Sequence, residues 1–171
     1  MTKILSLKMV QMVFVGRKSI NSNNYKVKLI TSKLMSIEQT QADLVEEFSL
    51  FDDWMGRYEY VIDLGKQLPD FPAEWQTENN RIKGCQSQVW LNMKMEQDKL
   101  HIDGTSDAAI VKGLVAIVLR VYSDREPQEI LNAKPDFIKD IGFTDHLSPT
   151  RSNGLHAMLR AIYQKAGEAA S

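Results

Sequence analysis

The chain has 171 residues, with 21 Lys and Arg against 22 Asp and Glu, a formal net charge of −1 and one cysteine. This length predicts one domain with a substantial hydrophobic core. A content of 43% hydrophobic and 25% charged residues excludes a disordered or collagen-like chain. The single cysteine excludes an intramolecular disulfide, a zinc site built from several thiolates, and an iron–sulfur cluster held by thiolates of this chain alone.

The sequence predicts neither a membrane protein nor a secreted one. No apolar run approaches the roughly 18–20 residues that span a bilayer. The apolar-rich stretch near the start, residues 9–15, is followed by Gly16-Arg17-Lys18 instead of a small-residue cleavage site. We therefore expect a cytoplasmic protein.

Charge divides the chain into two parts. Residues 1–35 hold seven basic groups and no acidic one, whereas residues 36–171 carry a net charge of −8. We interpret residues 1–35 as a basic N-terminal extension. It is a flexible tail, a transit-like segment, or a stretch upstream of a true start at Met35. Residues 36–171 are predicted to form the folded domain.

Two helices open the predicted domain. Ser36 and Gln39 have the spacing of a capping box, in which each side chain satisfies a backbone amide of the other residue. An apolar face then recurs at helical spacing through Ile37, Leu44, Val45 and Phe48. A second helix is expected to start at Asp52-Asp53 and to end near Leu64-Gly65, before two prolines and a polar loop.

Strict alternation of apolar and polar residues follows. Val89, Leu91, Met93 and Met95 fall on one side, which predicts a strand with one buried face. A polar turn at residues 97–99 leads to an antiparallel partner at residues 100–103.

Helices return after the strands. Ser106-Asp107 are predicted to cap a helix in which Gly113 packs closely against the sheet. Pro127 suits the first turn of a short helix to Asn132, and a last helix is expected at about residues 152–165, with an apolar stripe of Leu155, Met158, Leu159 and Ile162. Strands clustered between runs of helix favour an α+β fold, a small antiparallel sheet packed with helices.

Cys85 is the first candidate functional residue. It follows Gly84 and precedes the first strand, which places it on a loop. Arg81 and Lys83 are close in sequence, and positive neighbours favour the reactive thiolate. The residues alone leave two alternatives open: a reactive thiol on a loop, or a structural cysteine in the core.

The second candidate is the polar stretch at residues 144–155, just before the last helix. Arg151 and a helix N-terminus together suit an anionic sulfur or a partner's carboxylate. The alternative is an ordinary helix cap at Ser152, with Arg151 on the surface. A Cys85–His146 dyad would instead suit hydrolysis.

The sequence shows no pattern typical of a metal site, a phosphate-binding loop or a nucleic-acid-binding protein. His101, His146 and His156 show no metal-ligand spacing, and the chain has no glycine-rich phosphate loop. The tryptophans are not interleaved with basic residues and the main body is acidic, which disfavours nucleic-acid binding.

Three segments closely resemble the SufE family of sulfur acceptors, including its CsdE-like paralogues. They are RIKGCQSQVW at residues 81–90, SDAAIVKG at residues 106–113 and HLSPTRSNGL at residues 146–155. The resemblance covers roughly residues 36–167, with the segments in the family's order and spacing. It implies an α+β fold like that of the IscU scaffolds and a role in iron–sulfur cluster assembly.

The resemblance also implies a mechanism and partners. Cys85 would take persulfide sulfur from a SufS-like cysteine desulfurase, stimulate that enzyme and pass sulfur to the SufBCD scaffold complex. Arg151 would stabilise the thiolate or persulfide, Asp107 would cap a helix and brace the cysteine loop, and Gly84 and Gln86 would support the loop. The protein would be a monomer or homodimer without a metal or cofactor of its own, since pyridoxal phosphate belongs to the desulfurase. It would be a sulfurtransferase-type accessory protein and not a stand-alone enzyme.

Overall fold

The computed structural model describes residues 35–171, and the predictions for residues 1–34 lie outside them. This part of the chain forms one two-stranded antiparallel sheet packed with seven α-helices, which confirms the predicted α+β fold. The elements are α1 (Ile37–Ser49), α2 (Trp54–Lys66), a 3-10 turn (Ala73–Trp75), β1 (Val89–Glu96), β2 (Lys99–Ser106), α3 (Ala109–Tyr122), α4 (Pro127–Asn132), α5 (Phe137–Asp140), α6 (Phe143–His146) and α7 (Pro149–Ala170).

The starts of the first two helices follow the sequence. Ser36 forms the predicted capping box with Gln39 at the start of α1. Asp53 caps α2, its carboxylate accepting a hydrogen bond of 2.7 Å from the Gly56 amide. Both caps satisfy backbone amides that a helix start leaves without an intrahelical partner.

The β-hairpin is longer than predicted. Strands β1 and β2 pair from Val89 opposite Ser106 to Glu96 opposite Lys99, so that β2 continues three residues beyond the predicted end. The extension passes through Gly104, where a Cβ atom would lie 2.6 Å from a Leu91 methyl carbon and 2.8 Å from a Val115 methyl carbon. The glycine interrupts the apolar pattern in the sequence, yet it lets the hairpin pack tightly on α3.

Helix α3 is the centre of the core and is buried on nearly all sides. Gly113 does pack closely, but against α2 and not against the sheet as predicted. A Cβ atom at Gly113 would lie 2.0 Å from the Val61 carbonyl oxygen, and one at Gly65 would lie 2.6 Å from the Gly113 amide nitrogen. The two glycines let the backbones of α2 and α3 approach where they cross.

The predicted cap of α3 at Ser106-Asp107 is wrong. Ser106 is the last residue of β2, and α3 begins at Ala109 after Ala108, which provides no side-chain cap. The Ser106 hydroxyl and the Asp107 carboxylate bind the backbone of Gln88 instead. The two side chains that local spacing predicted as helix caps thus form long-range hydrogen bonds with the cysteine loop.

The last helix starts earlier and ends later than expected. Helix α7 runs from Pro149 to Ala170, with Pro149 in its first turn, where proline needs no hydrogen-bond donor. Its predicted apolar stripe is buried. Ser152 is inside the helix and does not cap it. None of the helices in residues 35–171 is both long and apolar enough to cross a membrane.

Candidate functional site

Cys85 lies on a loop whose two ends are held together by β-type hydrogen bonds. The Ile82 amide donates to the Val89 carbonyl oxygen at 2.9 Å, and the Leu91 amide donates to the Asn80 carbonyl oxygen at 2.8 Å. Gly84 has φ +89°, a conformation that side-chain-bearing residues rarely adopt. The chain therefore turns sharply immediately before Cys85, and the loop of residues 83–88 presents the thiol. Gln86 is exposed on the same loop.

Asp107 braces this loop at its C-terminal end. Its carboxylate accepts a hydrogen bond from the Gln88 amide at 3.0 Å. The Ser106 hydroxyl donates to the Gln88 carbonyl oxygen at 2.8 Å, and the Asp107 amide donates to the same oxygen at 3.3 Å. Both backbone groups of Gln88 are thus tied to the end of β2, three residues after Cys85.

The thiol of Cys85 is half-buried against the N-terminal part of α7. Its Sγ donates a hydrogen bond of 3.7 Å to the Gly154 carbonyl oxygen. A Cβ atom at position 154 would lie 3.3 Å from Sγ, a tight contact. Gly154 therefore makes room for the sulfur, and α7 offers it a hydrogen-bond acceptor. The expectation that Arg151 and the helix N-terminus together hold an anionic sulfur or a partner's carboxylate stays a prediction.

The electrostatics of the thiol also differ from the sequence-based expectation. Burial raises the pKa of the Cys85 thiol above its ordinary value, and the positive charge of Arg160 opposes this with a smaller effect. Arg81 and Lys83, which the sequence suggested as the activating cations, are not among the groups that shift this pKa. Arg81 is paired with the Glu78 carboxylate at 3.0 Å. In this conformation the sulfur is therefore a protonated thiol at neutral pH.

Arg151 lies in the first turn of α7, on the same helix as Gly154 but directed at a different partner. Its guanidinium is 5.8 Å from the centre of the Tyr58 ring, a cation–π arrangement. The Tyr58 hydroxyl in turn donates to the His146 carbonyl oxygen at 2.9 Å. These contacts direct the Arg151 guanidinium towards Tyr58 of α2, and its role in stabilising sulfur stays a prediction.

The Cys85–His146 dyad is not assembled among residues 35–171. The imidazole of His146 stacks on Trp54, with ring centres 3.8 Å apart, whereas the thiol of Cys85 is bonded to Gly154. No hydrogen bond joins the two side chains in the described part of the chain. Within the same residues, no cluster of three or more His, Cys, Asp or Glu side chains could hold a metal ion.

Sequence reasoning missed the parts that Gly154 and Arg160 play. Gly154 lies in the third family-like segment, but its sequence context indicates no role. Only the fold shows that a Cβ atom at this position would contact the sulfur of Cys85. Arg160 lies between the apolar positions Leu159 and Ile162 of α7, and no sequence pattern indicates a role for it. Cys85 and α7 are far apart in sequence, so no local pattern indicates the Gly154 contact or the electrostatic effect of Arg160.

Comparison with known proteins identifies relatives of this chain. Residues 42–166 match the family model described as "SufE: Fe-S metabolism associated domain". An uncharacterised SufE-like protein of Rhizobium meliloti (strain 1021) is 43% identical over 128 residues, which cover 72% of this chain and 91% of that protein. The solution structure of a hypothetical protein from Thermus thermophilus has a TM-score of 0.63 at 20% identity, covering 76% of this chain and 95% of that one.

Proposed function

Because the chain belongs to the SufE family and has a role in iron–sulfur metabolism, we propose that it is a sulfur carrier that uses Cys85. In this proposal a cysteine desulfurase, the pyridoxal-phosphate enzyme, forms a persulfide on its own cysteine in the cytoplasm. Cys85 accepts the outer sulfur atom, which stimulates turnover of the desulfurase. The SufBCD scaffold complex then receives the sulfur for cluster assembly.

One observation carries the proposal: the only cysteine of the chain lies on a braced loop within the motif that resembles the family's, and its side chain is only half-buried. A structural core cysteine needs neither the turn at Gly84 nor the bracing of Gln88 by Asp107. A lone cysteine also suits a carrier, since the chain has no second thiol that could release the sulfur by forming a disulfide.

The transfer of sulfur to Cys85 needs no external oxidant or reductant. The Cys85 thiolate attacks the outer sulfur of the donor persulfide, and a new S–S bond forms on Cys85. The S–S bond of the donor breaks, and its cysteine leaves as a thiolate. The proton given up by the Cys85 thiol goes to that leaving thiolate or to water. The sulfane sulfur changes carrier but not oxidation state.

In this mechanism, the position of Cys85 in the free protein protects its thiol from unwanted reactions. Burial raises the pKa of Cys85, and its S–H group donates to Gly154, so that the sulfur is a poor nucleophile while the protein is free. In this proposal, docking on the desulfurase draws Cys85 away from the Gly154 carbonyl oxygen, and the thiol then loses its proton more easily.

Mass spectrometry of the full chain tests the proposal. The protein is incubated with its desulfurase, pyridoxal phosphate and L-cysteine, and then analysed without reductant. We expect a mass gain of one sulfur atom located on Cys85 and reversed by dithiothreitol. Cys85→Ser should keep its fold, gain no mass and fail to stimulate the desulfurase. Full stimulation of the desulfurase by Cys85→Ser would contradict the mechanism.

A second candidate is a non-catalytic module that only binds a partner, with Cys85 as a packing residue. The half-burial of the thiol and its contact with Gly154 favour this alternative. The same incubation separates the two functions. A packing cysteine gains no sulfur even while the desulfurase is bound, and its replacement by Ser leaves any stimulation intact.

A further inference from the structure

A surface groove of about 320 Å³ lies beside the Cys85 loop. One side is the segment that leads into the loop, residues 79–83, and the other is the C-terminal half of α7. Leu91 and Met93 of β1 and Ala157 and Ala161 of α7 give it an apolar lining that is buried or half-buried. We call this feature the α7 groove.

The charge of the α7 groove is opposite to that of the rest of the domain. Among the described residues, four cationic side chains line it, Arg81, Lys83, Arg160 and Lys165, with Glu168 as the only acidic one. Residues 36–171 nevertheless carry a net charge of −8. The groove is therefore a positive site on an acidic body, with an apolar lining beneath the charges.

These cations are available to a ligand. Lys83 and Arg160 form no ion pair with any of residues 35–171. The remaining two have exposed partners, Arg81 with Glu78 at 3.0 Å and Lys165 with Glu168 at 3.6 Å. Exposed pairs of this kind contribute little free energy, so an incoming carboxylate exchanges with them at low cost.

We propose that the α7 groove binds an acidic segment of the cysteine desulfurase, with carboxylates on the cationic side chains and an apolar side chain against the lining. The proposal rests on the sulfur-carrier function. A groove with an apolar lining fits a peptide better than a free anion, and the acidic body disfavours a nucleic acid. Lys83 lines the groove and is two residues from Cys85, so an occupant of the groove lies at the start of the loop that presents the reacting sulfur.

A binding measurement with the desulfurase that carries its pyridoxal phosphate tests whether the desulfurase occupies the α7 groove. The dissociation constant is measured by calorimetry at 50 and 500 mM NaCl for the wild-type chain and for Arg81→Glu/Lys165→Glu, two residues without a part in the sulfur chemistry. We expect binding at low salt to weaken by about tenfold or more, with loss of the salt dependence. The matched control Lys134→Glu/Lys139→Glu makes the same charge change at exposed residues outside the groove. The control should weaken binding by less than about threefold.

A neutral variant tests the apolar part of the groove. Ala161→Phe fills the space without changing charge, and we expect it to weaken binding equally at both salt concentrations. Its melting temperature is measured alongside to show that the fold is retained. If this variant proves unfolded, Met93→Gln, at a half-buried position of the same lining, replaces it.

The outcomes separate this proposal from the sulfur-carrier function. At saturating desulfurase the groove variants should still gain one sulfur atom on Cys85, since only docking is impaired. Equal losses for the groove and control pairs, or no loss for either, would overturn the groove proposal and leave the carrier function standing. A wild-type chain that binds the desulfurase but gains no sulfur would overturn the carrier function instead.

Discussion

The Sγ of Cys85 lies 3.7 Å from the Gly154 carbonyl oxygen, and the position where a Cβ of residue 154 would stand is 3.3 Å from the same sulfur. The helix thus offers the thiol an acceptor and just enough space. Gly154 therefore contributes to the burial that raises the pKa of the free thiol. The first two predictions follow from it.

Gly154→Ala should make Cys85 more reactive without unfolding the protein. The new methyl group makes a tight contact with Sγ, and Cys85 is only half-buried on its loop, so we expect the thiol to shift outwards and lose burial. We expect alkylation by iodoacetamide at pH 8 to speed up by about threefold or more. Gly167→Ala is the matched control, since it adds the same methyl group to α7 with nothing within 4 Å. Equal alkylation rates for the two variants would contradict the prediction.

The pH dependence of alkylation should report the raised pKa of Cys85. Burial favours the neutral thiol, so the rate should reach half of its maximum above the ordinary thiol value of 9.0. Arg160→Gln removes the opposing positive charge and should move the midpoint higher still. Arg151→Gln, whose guanidinium lies over Tyr58, should leave the midpoint of the free protein unchanged. A midpoint that rises in Arg151→Gln and stays unchanged in Arg160→Gln would show that Arg151, and not Arg160, acts on the thiol of the free protein.

Arg151→Ala should impair sulfur transfer more than stability. The cation–π contact with the Tyr58 ring contributes only about 0.5–1 kcal/mol at a partly exposed site. If Arg151 stabilises the thiolate or persulfide during transfer, the rate of sulfur gain on Cys85 should fall by about tenfold or more. Tyr58→Leu serves as the control, because it removes the ring and keeps the guanidinium. A normal transfer rate for Arg151→Ala, with a lower melting temperature, would favour a structural role.

Local sequence patterns predicted much of this fold, and they failed where distant groups compete. The capping box at Ser36 and the start of α4 at Pro127 depend on neighbours within one turn, and both are confirmed. The predicted cap at Ser106-Asp107 failed because the Gln88 backbone, 19 residues from Asp107, takes those side chains. Cys85 could be singled out from its motif, but its contact with Gly154 spans 69 residues and has no local signal.

Gly113→Ala should strongly destabilise the protein. The added Cβ would lie 2.0 Å from the Val61 carbonyl oxygen, which belongs to the backbone and cannot move without shifting α2. We expect a loss of about 3 kcal/mol or more in the free energy of unfolding, despite the better helix propensity of alanine. Gly167→Ala, in open space on α7, should be neutral or slightly stabilising. Urea denaturation compares the two, and similar midpoints would show that α2 and α3 adjust easily.

The buried pair of Arg120 and Glu47 ties α3 to α1, and breaking it from one side should be costly. Arg120 is 5% exposed and binds both carboxylate oxygens of Glu47, at 2.8 and 2.9 Å. Glu47→Ala leaves the guanidinium without this carboxylate and should cost about 3–5 kcal/mol of stability. The double variant Glu47→Leu/Arg120→Met removes both charges and should recover most of that loss. The free energy of unfolding is measured for all three proteins. A double variant no more stable than Glu47→Ala would mean that the loss comes from the contacts of the missing carboxylate, which also accepts a hydrogen bond from the buried Tyr60 hydroxyl, and not from a lone buried charge.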